Sequence, residues 1–270
     1  MASGPTAHGP AVGAPAVGAP PASGSPAGGP AWEVVHQRGR VRELHEGLGP
    51  RLASAVGRGA RAVSVLEPTD RAVVVGSAQP LAHVDLARCS AAGVDVVRRR
   101  SGGGAVLVEP GSMVWVDVVV PAGDPLWCAD VGRATWWLGE AWVAALSGAD
   151  EAPVATGASG ADGAGFSVWR GPLQRRPWSE RVCFAGLGPG EVVRSGTGTK
   201  VVGISQRRVR GGAAFQCACL LRWRPHRLVE LLALSPADRA RAGPELATVA
   251  GGVGAGQAPD VLGRFLASLP

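Results

Sequence analysis

Residues 96–108 read VVRRRSGGGAVLV, two short β-branched runs joined through three arginines, a serine and three consecutive glycines. β-Branched residues favour strands. A glycine triplet is costly in backbone entropy, so it marks a place where the chain bends sharply or approaches something closely. Exposed amides in such a turn, flanked by Arg, can cradle a phosphate or carboxylate. A hairpin turn with a solvated Arg face is the plainer reading. No Gly-Lys-Ser/Thr follows the glycines, and the next segment reads as strand rather than helix. A nucleotide-binding P-loop and a dinucleotide fingerprint are therefore both excluded. GLGPGE at 186–191 lacks the same strand-to-helix context.

Outward from this stretch the pattern is mixed. Strands are predicted at Ala72–Gly76, Val94–Val97, Ala105–Val108 and Met113–Val120, with three more near 190–194, 200–205 and 213–223. Leu44, Leu48, Leu52 and Val56 predict one amphipathic helix over 40–58. A second is predicted over 128–146, with Val131, Ala134, Leu138, Trp142 and Leu146 on its apolar face, and further helices at 225–234, 236–249 and 258–268. Residues 156–165 predict a flexible loop, and the Ala/Gly/Pro-rich residues 1–30 a disordered tail. With no βαβ alternation, the expected class is α+β, a mixed and largely antiparallel sheet flanked by helices.

The chain has 270 residues, 46% hydrophobic and 18% charged, which suffices for a full core. A net charge of +6 suggests an anionic partner or simply an Arg-rich composition. No apolar run approaches the ~18 residues of a membrane span. The N-terminus shows neither a secretory nor a mitochondrial leader pattern. Five scattered cysteines suit reduced thiols in a cytoplasm. No aromatic–basic interleaving points to nucleic acid.

Among 27 Lys plus Arg residues, Lys200 is the one lysine. A compact ammonium on a thin stem fits a narrow channel that would reject the wide guanidinium fork. A solvated strand end is the bland alternative. Cys183, in RVCFAGLGPGE, stands near basic residues and Gly/Pro loops, a setting that suits a nucleophile as well as a small buried apolar group. Cys217 and Cys219 share a strand face and, with no further ligands in sequence, read as core.

Taken together, RRRSGGGAV, CFAGLGPGEV and TKVVGISQRRVRGGAAFQ resemble the lipoate–protein ligase and octanoyltransferase branch of the biotin/lipoate ligase superfamily. The resemblance covers residues 32–233 and implies a catalytic domain over 31–233, with 234–270 a short helical extension. It implies acyl transfer to a lysine of lipoyl carrier domains, those of 2-oxoacid dehydrogenase E2 or the glycine cleavage H protein. By matching position, Arg100, Ser101, Gly102, Gly103, Gly104 and Ala105 would line the acyl or acyl-adenylate pocket, with Gly203 close by. Lys200 would meet the activated carbonyl.

The branch divides. Ligases use ATP and Mg²⁺ and need no cysteine. Cysteine-dependent octanoyltransferases take the acyl group from an acyl carrier protein, hold no tightly bound cofactor, and place their nucleophile where Cys183 stands. The lead expectation is the transferase, with the ligase and an inactive acyl- or carrier-binding protein as alternatives. A biotin ligase is the nearest other enzyme. Unlike the common family pattern, LVEPGS follows SGGGAV without a His-Asp pair.

Overall fold

The computed structural model describes residue 1 together with residues 31–148 and 165–270. The tail expected over 1–30 and the loop expected over 156–165 lie outside the described residues, apart from Met1 and Gly165.

In chain order the elements are β1 (Trp32–Gly39), α1 (Val41–Glu46), α2 (Leu48–Arg58), β2 (Arg61–Pro68), β3 (Ala72–Val75), α3 (Leu86–Ala91), β4 (Asp95–Arg98), β5 (Val106–Val108) and β6 (Met113–Pro121). The second half follows with α4 (Trp136–Ser147), β7 (Phe166–Val168), β8 (Val192–Arg194), β9 (Lys200–Val209), β10 (Gly212–Leu220), α5 (Pro225–Leu231), α6 (Pro236–Val249) and α7 (Ala258–Ala267). Seven strands form one sheet in the order β1-β2-β6-β10-β9-β8-β7, antiparallel throughout except β1 with β2. A second sheet of order β4-β3-β5 pairs β3 parallel to β4 and antiparallel to β5. The class is the expected α+β.

The central strand β6 is buried along its whole length, and its period of two sorts the layers. Val114, Val116, Val118 and Val120 pack with Leu138, Trp142 and Leu146 of α4 and with Phe265 of α7. Met113 and Trp115 face the small sheet's Ala72 and Val74, while Val119 meets Leu48, Leu52 and Ala55 of α2. The small sheet alternates likewise. Ala72 and Val74 point towards the large sheet, whereas Val73 and Val75 pack beneath α5 and α6 with Leu228 and Leu246. The space between the two sheets holds the site.

Two predicted helices are corrected. The helix expected over 40–58 is two, parted at Gly47. There Arg51 folds back, its Nη1 lying 2.5 Å from where a Cβ on residue 47 would sit, on its way into the sheet. The helix expected over 128–146 starts only at Trp136. Asp130 accepts hydrogen bonds from the amides of Gly132 (2.8 Å) and Arg133 (3.0 Å), a side-chain turn that competes with helix, and Val131 is exposed. Strands β1, β2 and β7 were not anticipated. No helix among the described residues is long and apolar enough to cross a membrane.

Candidate active site

The glycine stretch joins β4 to β5, the two strands flanking β3, so it must cross the end of the small sheet. Gly103 has φ +101°, a conformation open to glycine. A Cβ on Gly104 would lie 2.6 Å from the amide of Val182, so only glycine lets the segment 181–183 lie alongside. That segment is held as an added strand edge: Ala105 donates to Arg181 O (2.8 Å) and Cys183 donates to Ala105 O (3.0 Å). The glycines and Cys183, 79 or more residues apart in sequence, thus form one unit.

Burial alternates past the end of β4, with Val97 in, Arg98 out, Arg99 in and Arg100 out. Arg99 therefore enters the site, and Arg100, assigned a pocket role by position, is exposed. Arg99 Nη2 donates to Gly102 O (2.8 Å), to Gly104 O (2.9 Å) and to the Cys183 sulfur (3.5 Å). Arg98 closes the adjoining turn through the carbonyls of Gly76, Ser77 and Gln79.

Lys200, at the start of β9, is buried at 1% exposure. Its ammonium hydrogen-bonds Cys183 O (3.3 Å) and Gly186 O (3.0 Å) and pairs with Glu191 at 2.7 Å, above the Phe184 ring at 4.9 Å. Glu191 in turn accepts from the amides of Gly188 (2.7 Å) and Ile204 (3.2 Å). Three protein acceptors match the three protons of an ammonium. Arg could not enter this enclosed geometry, which accounts for a lysine at this position alone.

A polar row crosses the large sheet. Ser64, Asp117, Gln216 and Ser205 are register partners on β2, β6, β10 and β9. Ser101 reaches the row from the glycine turn. It donates to Gln216 Oε1 (3.2 Å) and accepts from Ser205 Oγ (3.0 Å). Gln216 donates to Asp117 (3.3 Å), which also pairs with Arg51 and accepts from Trp115 Nε1 (3.2 Å). Burial pushes the Asp117 carboxyl up, and the Arg51 charge with these donors pulls it back. His45 of α1 packs on Trp115 at 4.5 Å between centroids, the rings tilted by 37°. Burial first, then the charges of Arg99 and Arg51, lower its pKa to about 3, so the imidazole is neutral.

These residues surround a cavity of about 60 Å³ whose walls include Val74, Val106, Val108, Met113, Ile204 and Ala218. Cys183, Arg99, Ser205 and Gln216 supply its polar side, and Gly203 leaves one wall open. The sequence-nominated Cys183 and Gly203 line it directly. Ser101 touches it through Gln216 and Ser205, while Lys200 sits behind Cys183. Gly102 and Gly103 are exposed, and Ala105 is buried under the segment 181–183. Arg99, Glu191, Gln216 and His45 were missed. Alternation from Val97 could have found Arg99. Cys217 and Cys219 are core, burial pushing both thiols up, and all five cysteines are free.

A glycine-rich turn set against an apolar slot between a large and a small sheet is the build of the catalytic domains of the biotin/lipoate ligase superfamily. Within it the chain belongs to the lipoyl protein ligase A/B catalytic domain family, whose model matches residues 51–249. Among solved structures, the bipartite lipoate protein ligase of Thermoplasma acidophilum, described with its E2 lipoyl domain, is 16% identical with a TM-score of 0.64, over 88% of this chain and 82% of that one. A lipoate-protein ligase A bound with ATP is 18% identical with a TM-score of 0.60, over 89% and 83%. Plasmodium falciparum LipL1 in complex with lipoate is 10% identical with a TM-score of 0.56, over 88% and 61%. These likenesses concern the fold. No curated protein sequence matches significantly.

Proposed function

We propose that the protein moves an octanoyl or lipoyl group onto a lysine of a lipoyl carrier domain through a thioester on Cys183. The observation that carries this reading is the Arg99 guanidinium 3.5 Å from the Cys183 sulfur at the edge of an apolar cavity. A positive charge with only carbonyl and sulfur partners can stabilise the oxyanion that forms next to that sulfur. In the first half-reaction the Cys183 thiolate attacks a donor thioester carbonyl. The carbon–sulfur bond to the donor breaks, and the donor leaves as a thiolate that takes a proton from solvent. In the second, a neutral carrier-domain lysine amine attacks the Cys183 thioester, an amide forms as the carbon–sulfur bond to Cys183 breaks, the amine proton passes to solvent, and Cys183 returns as thiolate. Lys200 acts here as a positioning residue, since its ammonium holds the Cys183 and Gly186 carbonyls rather than open space. The apolar walls take the acyl chain, with flexible Met113 able to yield to it.

Support for the carrier partner comes from the family and from the E2 lipoyl domain described with the Thermoplasma ligase. An acyl carrier protein is the donor this reading expects. A second reading, ATP-dependent ligation through an acyl-adenylate, is favoured by one observation. Arg100 is exposed and, among the described residues, makes no ion pair, beside the exposed Gly102 and Gly103. That turn could hold a polyphosphate.

The experiment gives the protein a lipoyl domain with octanoyl-carrier protein, or with octanoate, ATP and Mg²⁺, and weighs the domain. Mass gain from the carrier donor, with a hydroxylamine-sensitive adduct on Cys183, supports the transferase. Gain only with ATP supports the ligase and sinks the thioester, and no gain in either arm leaves an acyl- or carrier-binding protein.

A further inference from the structure

We propose that a cleft on the far side of the Val106–Met113 wall is a second ligand site, taking a carboxylate or phosphate head on a short apolar body. The cleft measures about 310 Å³. Leu107, Leu220 and Leu228 join Val106 and Met113 as its apolar surface, and four arginines, Arg71, Arg222, Arg224 and Arg227, line it. Arg222, Arg224 and Arg227 follow one another along the loop between β10 and α5 and into α5, and folding brings Arg71, just ahead of β3, across to them.

Their charges are poorly compensated. Arg227 pairs with Glu109 at 2.9 Å, the one carboxylate lining the cleft, and Arg71 donates to Ala92 O at 2.8 Å. Arg222 and Arg224 are exposed and, among the described residues, make no side-chain hydrogen bond or ion pair. Four arginines against one glutamate leave an excess of three positive charges around an apolar floor.

The rim is also held in place. The amides of Leu221 and Arg222 both donate to Ser112 O, at 2.9 and 3.1 Å. Trp223 donates to Leu246 O at 2.9 Å and packs its ring against Phe184 at 5.8 Å. Guanidinium forks recognise carboxylate and phosphate oxygens in pairs. Concave, mostly apolar sites with a few convergent polar groups are where small ligands bind. Val106 and Met113 line this cleft and the Cys183 cavity alike, so the two sites share a wall yet do not share a nucleophile.

The test is titration calorimetry of the full chain with octyl phosphate, octanoate and inorganic phosphate, for the wild type and an Arg222→Ala/Arg224→Ala double variant. Octyl phosphate and octanoate stand for the two head groups. Binding of either, weakened roughly tenfold or more in the double variant and weakened by added salt, supports the site. Wild-type affinity and stoichiometry in the double variant overturn it. So does inorganic phosphate binding as tightly as octyl phosphate, because the apolar floor would then contribute nothing. Binding of an acidic lipoyl domain to this face, with no small-anion binding, also overturns it in favour of a protein docking surface. The readout is binding, so the result stands whether or not acyl transfer through Cys183 is observed.

Discussion

The Arg99 guanidinium touches two backbone carbonyls and the sulfur of Cys183, and among the described residues it has no carboxylate partner. One side chain therefore both shapes the glycine turn and charges the thiol's surroundings. Replacing it with Gln should lower kcat for acyl transfer by about 10²–10³-fold, the scale of one lost oxyanion donor. Arg99→Lys should recover part of that loss. Alkylation of Cys183 by iodoacetamide should slow in Arg99→Gln, which a purely structural role would not require.

Cys183→Ser removes the sulfur of the proposed thioester while keeping the hydrogen-bond pattern of its backbone. Transfer from octanoyl-carrier protein should fall by at least ~10³-fold, with no covalent adduct by intact-mass measurement. Retained transfer with ATP and octanoate would transfer the function to the ligase reading.

The Lys200–Glu191 pair is fully buried, so either residue alone is a burden. Lys200→Met should destabilise the protein by about 3–5 kcal/mol, because Glu191 loses its buried counter-charge. Lys200→Met/Glu191→Leu should recover most of that loss in chemical denaturation. If acyl transfer stays low in the refolded double variant, the ammonium's effect on the Cys183 loop is separable from its effect on stability.

His45 binds its proton far more weakly in the folded chain, at about 3, than in the unfolded one near 6.5. Between these values the unfolded chain holds a proton that the native state lacks, so stability rises with pH and is lost as pH falls from about 6.5 towards 3. The slope from this group is about 1.4 kcal/mol per pH unit. His45→Phe keeps an aromatic ring against Trp115 and should flatten the denaturation midpoint across pH 4–6. An unchanged slope would mean that His45 is not the source.

A Cβ at position 203 would meet Phe184 Cζ at 3.2 Å and Lys200 Cε at 3.4 Å. Gly203→Val should therefore narrow the cavity. Transfer of an octanoyl group should drop by roughly tenfold or more while a butyryl donor is less affected, as fits a pocket read by methylene count. Equal losses for both donors would point to a disturbed Lys200 instead.

Much of this was legible in the residues. The strand–glycine–strand stretch, the lone lysine and Cys183 do converge, because glycine and lysine each carry a steric demand that composition alone betrays. Arg99 was passed over for Arg100, one residue away, although alternation from Val97 separates them. The polar row through Ser64, Asp117, Gln216 and Ser205 depends on register between four strands, and no local pattern encodes register. His45 was hidden for another reason. Its helix was assigned on leucine spacing, and only the break at Gly47 and the return of Arg51 explain the charged face beside it.

Lys200 faces two ways. While its ammonium secures the Cys183 segment, its backbone carbonyl accepts the amide of Gly251 at 2.9 Å, just past the end of α6. The last twenty residues are thus moored to the same anchor as the Cys183 segment. A chain clipped at Val249 would lose that mooring without losing a single side chain that lines the Cys183 cavity, and the Cys183 segment should slacken from a distance.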